Sequence, residues 1–262
     1  MNSEYIQIEN KNGVDYVTLN RPESLNALNE SMLNGLRDYF EQLYFNHEVR
    51  VVVLKGSGKS FCAGLDLDSF DADFNSSAAL KQQREISKII ILMRRCPQPI
   101  ISLIQGSACG GGFALALASD IRIASEDMKM NAAFIKIGLS GCDVGVSYLL
   151  PRIVGASVAS ELLLTGRFIK ANRALQTGLV SEVAASNKLE DIANKLVEEM
   201  LATSPLGLRL TKECLSMNID AASLEQAIAM EDRNQVLCLQ TKDFNVCLNA
   251  FLKNERPIFS DS

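Results

Sequence analysis

Two β-branched apolar runs, at residues 49–54 and 100–104, each lead into a glycine-punctuated turn, and the second turn opens a helical pattern. The first turn reads Ser60-Phe61-Cys62-Ala63-Gly64-Leu65-Asp66-Leu67 and the second Gly106-Ser107-Ala108-Cys109-Gly110-Gly111-Gly112-Phe113-Ala114. Short continuous apolar runs predict strands buried on both faces. A strand that turns through small residues into a helix leaves unpaired N–H groups and the positive end of the helix dipole at the turn. Such turns hold phosphates or oxyanions. A pair of them suits an oxyanion better, because an enolate needs two fixed donors on one oxygen.

The rest of the first half keeps this alternation. Residues 5–9 and 14–19 flank Asn10-Lys11-Asn12-Gly13 and predict a hairpin. Residues 29–46 carry Met32, Leu36, Phe40 and Leu43 at helical spacing, and 81–95 form a second helical run that Pro97 and Pro99 stop. A further strand is expected at 120–124. The fold class is therefore α/β, with much of the sheet covered. From about residue 157 the patterns at 157–164, 170–177, 189–202, 204–217 and 222–252 are almost entirely helical. We expect a core over residues 1–190 and a helical oligomerisation region over 191–262. The last stretch, with Leu224, Ile228, Val236, Leu237, Phe244, Leu248 and Phe251, either packs on its own core or forms a subunit interface. The loop 66–77, rich in Asp, Ser and Phe, is the candidate flap.

Composition narrows the chemistry. The chain of 262 residues carries a formal net charge of −5, and no basic stripe offers a nucleic-acid surface. The first residues lack the basic and apolar segments of a secretory leader, no apolar run is long enough to span a membrane, and a cytoplasmic location is expected. Seven cysteines without CxxC spacing predict free thiols, and His47 is the only histidine, in a link between helix and strand. That excludes most mechanisms that use histidine as base, triad member or zinc ligand. Gly56-Ser57-Gly58-Lys59-Ser60 lacks the leading glycine of a P-loop, since Val53 stands there. The 106–112 glycines lack dinucleotide-fingerprint spacing, and Asp120 follows too early to meet a ribose. Close helix–strand packing is the alternative explanation of the triple glycine.

The two turns, with Gly106 to Arg122, Leu150-Pro151-Arg152-Ile153-Val154-Gly155, Asn20-Arg21-Pro22-Glu23-Ser24-Leu25-Asn26-Ala27-Leu28, Leu164-Thr165-Gly166-Arg167 and Ala174-Leu175-Gln176-Thr177-Gly178-Leu179-Val180, resemble the crotonase (enoyl-CoA hydratase/isomerase) superfamily along essentially the whole chain. The resemblance implies a spiral of β-β-α units with a helical C-terminal trimerisation region, usually as trimers or dimers of trimers. It implies an acyl-CoA thioester whose carbonyl oxygen lies between two backbone N–H groups, here Leu65 and Gly111. It places substrate contacts at Arg21, Ser24, Leu25, Ala27, Ala63, Gly64, Asp66, Leu67, Asp68, Gly110, Phe134 and Ser140. Lys253 and Arg256 are proposed near the CoA phosphates from charge alone. No cofactor is expected beyond the CoA carried by the substrate, and no metal.

The chain departs from the family at its acids. Hydratases carry one glutamate just after the oxyanion glycine and a second in a later strand-to-helix segment; those positions here are Ala114 and Phe134. Hydration needs groups that hold water and protonate carbon, so their replacement argues against it. What remains is Asp143, upstream of Val154-Gly155, resembling the superfamily branch of dienoyl-CoA isomerases, epoxyphenylacetyl-CoA isomerase and chlorobenzoyl-CoA dehalogenase. In the isomerases that aspartate moves a proton; in the dehalogenase it is a nucleophile. The further acids of the dienoyl isomerases are absent, with Ala114 and Ile135 in their places, and the chain has no tryptophan for a dehalogenase site. Asp143 is also placed to cap the helix that follows.

The sequence reading is thus an isomerase of unsaturated acyl-CoA with Asp143 as proton carrier. The alternatives are a hydratase or thioester hydrolase, and a non-catalytic acyl-CoA binder. Asp66 reads as a turn residue, Asp68 as a possible substrate contact, Cys62, Cys109 and Cys142 as small thiols near the site, and Tyr148 as a polar contact.

Overall fold

In the computed structural model, which describes residues 4–67 and 75–261, the chain opens with the hairpin β1 (Ile6–Lys11) and β2 (Val14–Leu19). Asn12 and Gly13 both have positive φ, the two-residue turn that matches strand twist. Helix α1 (Glu30–Leu43) follows. The Asn29 side chain accepts from Met32 N and caps it, and Met32, Leu36, Phe40 and Leu43 are all buried. Each of these side chains contributes about 1.5–3 kcal/mol of burial. The chain continues through β3 (Val51–Gly56), α2 (Ser76–Arg95), β4 (Ile100–Ile104), β5 (Ser107–Cys109), α3 (Gly111–Ala118), β6 (Ile121–Ser125) and β7 (Lys129–Asn131). Then come α4 (Val146–Val154), α5 (Ala156–Thr165), β8 (Ile169–Lys170), α6 (Ala171–Gln176) and β9 (Glu182–Ala184). Helices α7 (Leu189–Leu201), α8 (Pro205–Asn218), α9 (Leu224–Leu239) and α10 (Lys242–Lys253) complete it.

The large sheet has the order β1-β2-β3-β4-β6-β9, parallel from β2 onward, and the small sheet the order β5-β7-β8. Successive turns lay one strand in each sheet: β4 then β5, β6 then β7. Cys62, just after β3, joins the small sheet by a single bridge to Ala108. This is the expected spiral. Val52, Leu54, Ile100 and Ile104 face one core under α1, α2 and α3, while Val51, Val53, Ile101, Leu103 and Ile123 face a second core against α7. Period-two alternation between two buried faces is why these strands read as unbroken apolar runs.

Several local expectations are corrected. Helix α2 starts at Ser76, capped by Asn75, which accepts from Ala78 N at 2.9 Å. The end of the expected flap is therefore helix, and its residues 68–74, including Asp68, lie outside the described residues. Strands β5, β7, β8 and β9 were not anticipated. With two or three residues each they are too short to show a period. The apolar residues of the last two helices do not form a core within one chain: α9 buries none of its residues, and Phe251 is 84% exposed.

Helix α8 is pinned to the core by a buried cation. Lys212, 5% exposed, pairs with Asp120 at 2.9 Å and donates to Gln98 O at 2.7 Å and Met93 O at 3.2 Å. Asp120 also accepts from Ile100 N and Arg94, so it organises the start of β4. Lys212→Met leaves buried carbonyls without a donor, and is expected to lower unfolding free energy by about 2–4 kcal/mol. Urea denaturation checks this; an unchanged midpoint would show that α8 docks without the lysine.

Candidate active site

The two glycine turns meet. Cys62 N donates to Ser107 O and Cys109 N to Cys62 O, both at 3.0 Å, so the segment after β3 and the segment before α3 lie zipped together. Residues 25–28 run along the other side of the first turn: Ala63 N donates to Leu25 O at 3.0 Å, Leu28 N to Gly64 O at 2.7 Å and Asp66 N to Leu28 O at 3.0 Å. This pairing uses Ala63 N, Gly64 O and Asp66 N and leaves Leu65 N facing the second turn.

Each glycine has its own reason. Gly64 has φ +105, and a Cβ there would lie 2.8 Å from Cys109 O and 3.5 Å from Gly111 N. Gly110, at φ 50 and ψ −116, occupies the N-cap of α3 in a conformation that side chains rarely tolerate. Gly112 is a packing glycine, since a Cβ would meet Cys62 O at 2.3 Å. Gly111 is the one that faces the gap: a Cβ there would lie 3.8 Å from Leu65 N. Both anticipated donors are thus neighbours. Neither Leu65 N nor Gly111 N has an acceptor among the described residues. Two unpartnered amides at a helix N-terminus form a pocket of positive potential.

The segment carrying the anticipated CoA contacts is braced from within. Arg21 pairs with Asp66 at 2.8 Å, donates to Ala27 O at 2.7 Å and to Ser24 Oγ at 3.3 Å, and lies over the Tyr5 ring. Asp66 is therefore an ion-pair partner that ties the first turn to residues 21–27, a contact invisible to local reading. Asn26, absent from the expected site residues, is fully buried: it accepts from Arg21 N and donates to Ser57 O and Ser60 O, each at 2.8 Å. Leu25 and Asn26 both adopt left-handed φ. The signal available for it in the sequence was an asparagine in a proline-led turn.

The two positions at which the resemblance expects the hydratase glutamates are apolar and buried. Ala114 is fully enclosed in α3, and Phe134, 5% exposed, places its ring 3.4 Å from where a Cβ of Gly110 would stand. Asp143 is half-buried and does not cap α4 with its side chain. The N-cap is Gly145, with no side-chain cap bond, and Val146 N donates to the Asp143 backbone carbonyl at 2.9 Å. The carboxylate Oδ1 instead accepts from Val144 N at 2.8 Å and from Gln83 Nε2 of α2. Burial pushes the Asp143 carboxyl above its ordinary range, while the Val144 and Gln83 donors pull it back. Ser140 is exposed and accepts from Cys142 N, a local turn contact. Leu67, Cys142, Tyr148, His47, Lys253 and Arg256 are exposed as well. Cys62 is buried, and burial raises its thiol to about 12, which keeps it protonated.

Residues 9–262 match the family model described as enoyl-CoA hydratase/isomerase. The chain belongs to this family. A relative from Mycobacterium tuberculosis named probable enoyl-CoA hydratase EchA12 is 37% identical over 252 residues, 94% of this chain and 88% of that one. The 1,2-epoxyphenylacetyl-CoA isomerase of Escherichia coli is 32% identical over 260 residues, 98% of each chain. The crystal structure of an enoyl-CoA hydratase from Bacillus anthracis superposes with a TM-score of 0.93 at 32% identity, covering 99% of this chain and 100% of that one. The fold is thus that of the crotonases. No helix among the described residues is long and apolar enough to cross a membrane.

Proposed function

We propose that this enzyme moves a double bond in an unsaturated acyl-CoA through a thioester enolate. The Leu65 and Gly111 N–H groups polarise the carbonyl oxygen and hold the negative charge that develops there, a contribution of several kcal/mol when donors are fixed in place beforehand. Asp143, ionised, takes a proton from one carbon and returns it to another, so that the carboxylate ends as it began. Its raised pKa brings the base closer to neutral pH and strengthens it for this task.

The observation that carries the reading is the apolar filling of both glutamate positions by Ala114 and Phe134, which leaves Asp143 as the candidate carboxylate. Hydration is the second reading, favoured by the name of the mycobacterial relative. The two are separated by products. With 3-hexenoyl-CoA in heavy water, an isomerase forms the conjugated thioester and washes deuterium into the carbon chain; the absence of both events with folded protein would overturn the reading. With crotonyl-CoA in oxygen-labelled water, label in the acyl product supports the hydratase.

We also propose that the exposed apolar residues of α9 and α10 are covered by other copies of the chain, as a homotrimer or homohexamer. Light scattering tests this, and a monomer at micromolar concentration would refute it.

A further inference from the structure

Helix α2 approaches the Asp143 loop twice on one face. Gln83 reaches the carboxylate, and Ile90, two turns later, lies 3.5 Å from where a Cβ of Gly145 would stand. Residues seven apart share a helix face, and the C-terminal half of α2 is fixed by the buried Ile89, Ile90 and Met93. Between the two contacts sits Val144 at φ 38, a left-handed value that a β-branched residue adopts only when its surroundings hold it there. Asp143 is therefore clamped, and the clamp is one-sided. Both donors, Val144 N and Gln83 Nε2, bind Oδ1, while Oδ2 has no donor among the described residues.

We propose that Gln83 is a positioning residue for Asp143: it anchors Oδ1 so that Oδ2 is the oxygen that accepts and returns the proton. This rests on the reading of Asp143 as the proton carrier. An amide suits the task because it stabilises the ionised carboxylate without adding a charge that would compete with the enolate. It also sets the carboxylate plane, and a base held off its line of approach loses rate steeply.

Gln83→Met keeps the length of the side chain and removes the donor. Turnover of 3-hexenoyl-CoA is expected to fall about tenfold with KM little changed, and the acid limb of the kcat profile to move up by about one pH unit, because the lost donor favoured the charged form. Gln83→Glu sets a second negative group beside Asp143 and is expected to move the limb further still. Packing damage would not produce that order, so the series survives one variant that folds poorly. A wild-type kcat and an unmoved limb in both variants would overturn the assignment. If Asp143→Asn is inactive in that case, Asp143 remains the base and only the role of Gln83 falls; an active Asp143→Asn would remove the reading beneath it.

Discussion

Asp143→Asn is expected to lower turnover of 3-hexenoyl-CoA by about a thousandfold or more while leaving the affinity for acetoacetyl-CoA nearly intact. The asymmetry follows from where each interaction acts. On the proposed reading the thioester is held by the two backbone donors and the 21–28 segment, which the substitution leaves in place, whereas proton transfer requires an ionisable oxygen. Loss of folding is separable from loss of chemistry here. The folded protein holds the Asp143 proton more tightly than the unfolded chain does, because burial raises its pKa. By linkage, its contribution to stability declines as pH rises from the ordinary carboxylate range through the raised value. The asparagine variant is therefore expected to melt no lower than wild type at neutral pH, with any advantage vanishing in acid. A variant that retains turnover, or one that melts far lower at neutral pH, would contradict the assignment of a half-buried, chemically required carboxylate.

The second large effect is expected at Gly64. Gly64→Ala introduces a Cβ 2.8 Å from Cys109 O at a φ of +105, so the first turn must move away from the second. Leu65 N moves with it. Losing one oxyanion donor costs about a hundredfold to a thousandfold in rate, and the acetoacetyl-CoA enolate absorbance should weaken in parallel. Gly138→Ala provides the comparison: its φ of +84 is equally left-handed, but nothing lies within 4 Å of the added carbon. It should cost only backbone strain, about 1 kcal/mol, and keep the enolate signal. Equal losses in both variants would mean that strain, and not the geometry of the paired turns, sets the effect.

The expectations that held were those written in local pattern. The run 49–54, whose strand forms two residues later over Val51–Gly56, and Ile100 to Ile104 read as buried strands because both of their faces lie under helices. The α1 helix was legible from Met32, Leu36, Phe40 and Leu43, since its apolar stripe matches the helical period. Strands such as β7 and β8 were illegible because two or three residues carry no period and their pairing partners are distant in sequence. The Arg21–Asp66 ion pair and the Gln83–Asp143 contact were illegible because their residues lie 45 and 60 positions apart, respectively, and meet through the winding of the spiral.

The paired glycine turns are a property of the sequence alone, and it is the resemblance to the family that places the hydratase glutamates at Ala114 and Phe134 and directs attention to Asp143. Only the tertiary structure decided that Leu65 N and Gly111 N share one gap, and that each of the three consecutive glycines answers a different steric demand. It alone removed Asp143 from the helix cap, giving that position to Gly145 and the carboxylate to Gln83. Backbone spacing records which groups are available; which of them converge depends on how distant segments pack, and that is set by the burial of the two cores around the sheet.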